Sequence, residues 1–239
     1  MKAIILAAGI GSRLYPLTSD RPKCLLKIDG ESILEFQVQS LKSCGINDIV
    51  VVTGYLSELI MKKPYSEVRY RYYKDYSKTN NLYTLYSIRD ELNEDTIILF
   101  SDVLLSLKLL KRCVENKGDN YNLIIDNNNI TEKTMRVKIH NNSIYDIGNH
   151  IPINEAHGNF IGIGKFSEVG ARTIKIYLER YVNDDSHIND YYTSVFYDIA
   201  KENHKISYTN VNGEPWIEID DMNDYNKAIA ENISIYRNN

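Results

Sequence analysis

Short apolar blocks alternate along this chain with longer stretches in which apolar residues return every three or four positions. Residues 3–6, 49–53 and 96–100 are near-continuous apolar runs, the pattern of strands buried on both faces of a parallel sheet. Ser32 with Glu35 three positions later forms a capping box, and Ile33, Leu34, Val38 and Leu41 make the buried stripe of the helix it starts. Residues 68–73 predict another strand, and Asn81 is the expected N-cap of a helix carrying Leu82, Leu85 and Leu92. Strand and helix thus alternate as βαβαβ, which predicts a parallel sheet with helices on both faces.

The second half follows a different rhythm. Residues 135–139 alternate between apolar and polar, and 143–147 and 160–164 add two short strands, which predicts a mixed or antiparallel extension. Helices are expected near 169–181 and 190–202, and a last one carries Met222, Tyr225, Ile229, Ile233 and Tyr236 at helical spacing. Asn127 to Asn129 and Asn141-Asn142 mark turns, and no repeat or long linker interrupts the chain. The expected fold class is α/β: a single Rossmann-like domain over 1–239, with a mixed, mainly parallel sheet flanked by helices and a small extension in the second half.

Composition narrows the function. With 239 residues and 43% hydrophobic content, the chain can bury one substantial core. A net charge of −4 with scattered Lys and Arg argues against a nucleic-acid surface. No run reaches transmembrane length, and the first strand is too short and too early for a signal peptide, so no membrane partner is expected. Cys24, Cys44 and Cys113 have neither CxxC nor zinc spacing, which fits free thiols in a reducing cytoplasm. Nothing in the composition sets an oligomeric state.

The first strand empties into Gly9-Ile10-Gly11-Ser12-Arg13, followed by Pro16 and then Pro22-Lys23. Two glycines let backbone approach a ligand without a Cβ in the way. Amide N–H groups followed by fixed cations, Arg13 and Lys23, are suited to a polyphosphate. The loop lacks the Gly-Lys-Ser/Thr ending of a Walker A motif. It also lacks the third glycine and immediate helix of a dinucleotide fingerprint, since Pro16 interrupts. Asp102 follows the strand at 96–100 directly, and Trp216-Ile217-Glu218-Ile219-Asp220-Asp221 supplies a second acidic segment. If Ile217 and Ile219 face the core, Glu218 and Asp220 share the other face, while Asp221 has a competing assignment as N-cap of the last helix. Ligands of open parallel sheets bind at the carboxyl ends of strands, where all three signals fall.

The pattern Gly9 to Leu14, Pro16-Leu17-Thr18 and Pro22-Lys23, with Thr79-Asn80-Asn81, Ser101-Asp102, residues 158–164 and 216–221, resembles the nucleotidyltransferase superfamily that joins a nucleoside triphosphate to a phosphorylated acceptor. Within it the chain looks most similar to bacterial phosphocholine and 2-aminoethylphosphonate cytidylyltransferases and related capsule-locus enzymes. The resemblance implies a cytoplasmic, Mg²⁺-dependent cytidylyltransferase that uses CTP and a small phosphorylated or phosphonate acceptor for decorating surface polysaccharide or lipid. It implies nucleotide binding by Leu6, Ala7, Ala8, Gly9, Gly11, Ser12, Arg13, Lys23, Asn80, Asn81 and Ser101, with Arg13 and Lys23 catalytic. The metal is expected on Asp102 and Asp220, with Glu218 or Asp221 in support, and the acceptor near Tyr192, His157, Gly158 and Trp216. Residues 1–130 would mainly bind nucleotide and 131–239 mainly acceptor and metal.

One departure stands out: relatives often carry lysine after Ile-Gly where this chain has Ile147-Gly148-Asn149-His150, and Lys138 or Lys165 are candidate substitutes. Two rival readings remain: a sugar 1-phosphate nucleotidylyltransferase using UTP or dTTP, and a nucleotide-binding regulatory domain without turnover. Retention of both Asp102 and Asp220 weighs against the second.

Overall fold

The computed structural model describes residues 1–62, 65 and 68–237. Its strands in chain order are β1 Lys2–Ala7, β2 Lys27–Ile28, β3 Glu31–Ser32, β4 Asp48–Thr53, β5 Val68–Tyr72, β6 Thr96–Phe100 and β7 Val103–Leu105. They continue with β8 Tyr121–Asp126, β9 Met135–His140, β10 Ser143–Gly148, β11 Gly158–Phe166, β12 Ser207–Asn210 and β13 Trp216–Glu218. Nine of them form one sheet along the path β10-β9-β11-β6-β1-β4-β5, with β8 bridging β11 and β12. β5, β4, β1 and β6 are parallel, and β11 joins β6 antiparallel, so the sheet is mixed and runs unbroken through both halves of the chain.

Period-2 alternation sorts the parallel strands onto two faces. Ile4, Leu6, Val50, Val52 and Ile98 pack with Leu82 and Leu85 of the helix Asn81–Tyr86 and with Ile174 and Leu178 of the helix Glu168–Tyr181. Ala3, Ile5, Val51, Ile97 and Leu99 pack with Leu34, Val38 and Leu41 of the helix Ile33–Ser43 and with Leu109 and Leu110 of the helix Leu107–Glu115. Helices on both faces leave the carboxyl edge of the parallel strands free to carry loops. Among the described residues, no helix is long and apolar enough to cross a membrane.

The capping box of Ser32 and Glu35 forms as its spacing predicts. Other boundaries move. Asn80, not Asn81, caps the helix at 81–86, because its Oδ1 accepts from Asn81 N at 2.8 Å. The last helix is broken: Met222–Glu231 ends at Asn232, whose φ is +63°, and a short turn at Ser234–Arg237 follows. Ile229 is accordingly 45% exposed, so the expected stripe is not continuous. β8 is held in the core by the short apolar run Leu123, Ile124 and Ile125, whereas β12 carries no such run and is only alternately buried. The buried polar residues of the pair satisfy one another, as in Asn122 Nδ2 donating to Thr209 Oγ1 at 2.9 Å.

Candidate active site

After β1 the backbone turns through Gly9 and Gly11 into a short helical turn, Ser12–Leu14. Gly11 has φ +69°, and a Cβ there would lie 3.1 Å from Lys23 Cβ, so both the backbone and the space select glycine. Thr18 Oγ1 donates to Gly11 O at 2.8 Å and pins the loop. Leu14 is buried, which leaves Arg13 directed outward. Pro22 then sets an extended entry into a second turn, Lys23–Leu25. Cys24 and Leu26 point into the core while the Lys23 stem crosses to the cleft.

The acidic residues meet because of one strand pairing. β13 runs antiparallel to β7, with Glu218 opposite Val103, and Ile219 N donates to Asp102 O at 3.0 Å. Ile217 and Ile219 are buried as the alternation predicts. Their neighbours Glu218 and Asp220 join Asp102, with one carboxylate oxygen from each within 4.8 Å of the others. Lys23 Nζ donates to Asp102 Oδ2 at 2.7 Å and to Asp220 Oδ1 at 2.8 Å, and Arg13 Nη2 reaches Asp220 Oδ1 at 3.0 Å.

Burial opposes the charge of Lys23, but the carboxylates of Asp102 and Asp220 outweigh it and hold its pKa above the ordinary lysine value. Burial, and then the charges of Asp102 and Asp220, push Glu218 up to about 8. Asp102 Oδ1 is buried with no hydrogen-bond partner. An all-oxygen donor set with an orphaned buried carboxylate oxygen fits a hard divalent cation such as Mg²⁺. Asp221 is not part of this group. Its Oδ1 caps the helix Met222–Glu231, accepting from Asn223 N and Asp224 N, and its Oδ2 accepts from Lys133 at 2.5 Å.

These groups line a cleft of about 450 Å³ together with Leu6, Ala8, Gly9, Gly11, Asn80, Asn81 and Ser101. Ala7 is buried and Ser12 is exposed in the turn, and neither is among the residues that line the cleft. Asn80 and Asn81 are held in place by the segment opposite: Asn80 Nδ2 donates to Asn189 O at 3.0 Å, and Asn81 Oδ1 accepts from Tyr192 N at 2.8 Å.

The residues expected around the acceptor are not gathered. Tyr192 is fully buried, edge-on to Phe100 at 5.9 Å and Phe196 at 6.0 Å, so its ring is core. Trp216 turns away, packing against the core and donating Nε1 to Asp126 Oδ2 at 2.9 Å. His157 is exposed and accepts from Ile139 N, and Gly158 lies buried in β11 outside the cleft. Neither substitute lysine reaches the site: Lys138 pairs with Glu155, and Lys165 donates to Val114 O and Asn116 O. Other residues line the remainder of the cleft, among them Asn149, which stands where relatives often carry lysine. Lys133, Thr134, Met135, Asn149 and Tyr191 line this part of the cleft. Met135, Asn149 and Tyr191 also wall a second cavity of about 550 Å³ that contains Asp146 and Asp190. Lys133 sits in an irregular segment without any motif, and Tyr191 is the immediate neighbour of the Tyr192 expected at the acceptor.

The sequence profile of the nucleotidyl transferases matches residues 2–144, more than half of the chain. The chain belongs to the nucleotidyl transferase family. This nucleotidyl transferase is 29% identical over 255 residues to the CTP:phosphoglutamine cytidylyltransferase of Campylobacter jejuni, an alignment covering 97% of the chain and all of that protein. It is 43% identical over 100 residues to the choline-phosphate cytidylyltransferase of Streptococcus pneumoniae, covering 41% of the chain and 43% of that protein. The solved structure of the pneumococcal CTP:phosphocholine cytidylyltransferase superposes with a TM-score of 0.83 at 26% identity, over 96% of this chain and 98% of that one.

Proposed function

We propose that this nucleotidyl transferase moves a cytidylyl group from CTP to a small phosphorylated or phosphonate acceptor and releases pyrophosphate. The observation that carries the reading is the meeting of a glycine loop, two cations and three carboxylates at the carboxyl edge of parallel strands. Similarity to cytidylyltransferases over nearly the whole chain supports the choice of CTP.

An acceptor oxygen attacks the α-phosphorus, the bond from that phosphorus to the β-phosphate bridging oxygen breaks, and the electron pair leaves with pyrophosphate. The acceptor oxygen is already ionised at neutral pH, so no proton needs removing and no general base is required. Asp102, Asp220 and Glu218 would hold Mg²⁺, which supplies charge neutralisation for the phosphates. Lys23 meets charge that develops around the α-phosphorus, and Arg13 the leaving phosphates. Asn80 and Asn81, fixed by residues 188–192, orient the base and ribose. Lys133 takes the role of acceptor-phosphate anchor, and the cavity behind Met135, Asn149 and Tyr191 receives the acceptor's tail. Residues 1–130 thus serve mainly the nucleotide and 131–239 mainly the acceptor, with the metal acids drawn from both.

Pyrophosphate release tests this directly, crossing four nucleoside triphosphates with phosphocholine, aminoethylphosphonate, phosphorylated amino-acid amides and sugar 1-phosphates. CTP with one of the first three acceptors should give the fastest release. UTP or dTTP with a sugar 1-phosphate would establish the sugar-nucleotide reading instead. Nucleotide binding with no release under any pairing would establish a regulatory domain.

A further inference from the structure

Lys23 stands among carboxylates that the proposed reaction assigns to a divalent cation. Its ammonium lies 2.7 Å from Asp102 Oδ2 and 2.8 Å from Asp220 Oδ1, and its side chain is 12% exposed. One positive charge therefore already occupies oxygens that a cation needs. It does not satisfy the cluster, since Asp102 Oδ1 stays buried and unpartnered and Glu218 adds a third acid. A cation arriving at these oxygens would meet both competition and like-charge repulsion from the ammonium.

Only the side chain is free to yield. The Lys23 carbonyl accepts from Leu26 N at 3.0 Å, and the residue sits between Pro22 and buried Cys24, so the backbone is anchored. The flexible four-carbon stem, bordered by Gly11, carries a compact point charge that can exchange one set of anionic oxygens for another. Arg13 shares only Asp220, and its side chain is 64% exposed, so it competes less.

We propose that Lys23 is a resident counter-ion that makes divalent-cation and nucleotide binding depend on each other. In the free enzyme its ammonium holds Asp102 and Asp220 against a cation. Nucleotide phosphates give it a new partner and release those oxygens. The inference rests on the nucleotide-transfer reading above. It requires that cation and nucleotide raise each other's affinity by the same factor, as linkage demands.

Mn²⁺ titrated into nucleotide-free protein, followed by calorimetry and by the electron paramagnetic resonance signal of the free ion, tests the first half. Lys23→Met should bind Mn²⁺ about tenfold tighter than the wild type, within the usual range of coupling between sites. Lys23→Arg should stay as weak as the wild type, and adding Asp102→Asn to Lys23→Met should remove the gain. The second half uses the unmodified protein and so stands even if Lys23→Met folds poorly. Cytidine 5′-monophosphate should strengthen Mn²⁺ binding about fivefold, and Mn²⁺ should strengthen nucleotide binding equally. That coupling should fall towards one in Lys23→Met. Mn²⁺ binding to Lys23→Met no tighter than to the wild type, or no coupling in the wild type, overturns the proposal. Pyrophosphate release judges the reaction separately: intact turnover without coupling removes the counter-ion role and leaves the reaction standing.

Discussion

Trp216 Nε1 donates to Asp126 Oδ2 across 2.9 Å, tying β13 to the end of β8. The same carboxylate accepts from Asn128 N at 2.9 Å and from Asn129 Nδ2 at 3.2 Å. One buried aspartate therefore connects the strand that presents Glu218 to the loop that leads to Lys133. The indole nitrogen is committed to this junction.

Trp216→Phe should cost about 1–3 kcal/mol, the worth of a hydrogen bond to a charged group whose partner is left buried. Urea denaturation should show a lower midpoint with an unchanged slope. Preference between amine-bearing and neutral acceptors should not move. A shift in acceptor preference without loss of stability would return Trp216 to the acceptor site.

Asp102→Asn should lower kcat by about 10²-fold or more, since each tenfold corresponds to roughly 1.4 kcal/mol of transition-state stabilisation. Circular dichroism should be unchanged, because Asp102 follows β6 at the sheet edge and Ser106, not Asp102, caps the next helix. A near-normal kcat would exclude Asp102 from the reaction.

Arg13→Ala and Lys133→Ala should separate the two ends of the cleft. Loss of Arg13 should raise the KM for CTP and lower kcat. Loss of Lys133 should raise the acceptor KM and leave the CTP KM near its original value. Steady-state kinetics with each substrate varied in turn checks both, and equal mild effects would mark the two as surface charges.

Glu91 governs part of the acid response. Hydrogen bonding from Arg69, against the opposing effect of burial and with help from Lys2, holds its carboxyl down at about 2, against an ordinary value of 4.5. A lowered folded-state pKa means that the contribution is present in full above the ordinary value and drains away as pH falls towards about 2. Glu91→Gln should therefore be less stable than the wild type at pH 7, and the two should converge as pH drops through that window. Chemical denaturation at pH 7, 4 and 2.5 measures the convergence, and a constant difference would rule out ionisation as its source.

Much of the architecture is legible along the chain because local physics sets it. β1, β4 and β6 are apolar on both faces and can only be central strands, while Ser32 and Glu35 announce a helix start through a contact three residues long. Gly9, Gly11, Arg13, Lys23 and Asp102 raise the expectation of a polyphosphate site by residue type and by position after such strands. Alternation also assigns Glu218 and Asp220 to a common face.

Tertiary structure decided what depends on distant partners. Glu218 rather than Asp221 joins the acids because β13 pairs with β7 in one particular register, and a one-residue slip would exchange the two faces. Tyr191 rather than Tyr192 faces the cleft because Tyr192 N is tied to Asn81 Oδ1, a contact 111 residues apart. Lys133 enters the site through an irregular loop with no periodicity to read, and β12 joins the sheet through its pairing with β8. Periodicity tells a side chain which face to take, but long-range pairing decides what that face meets.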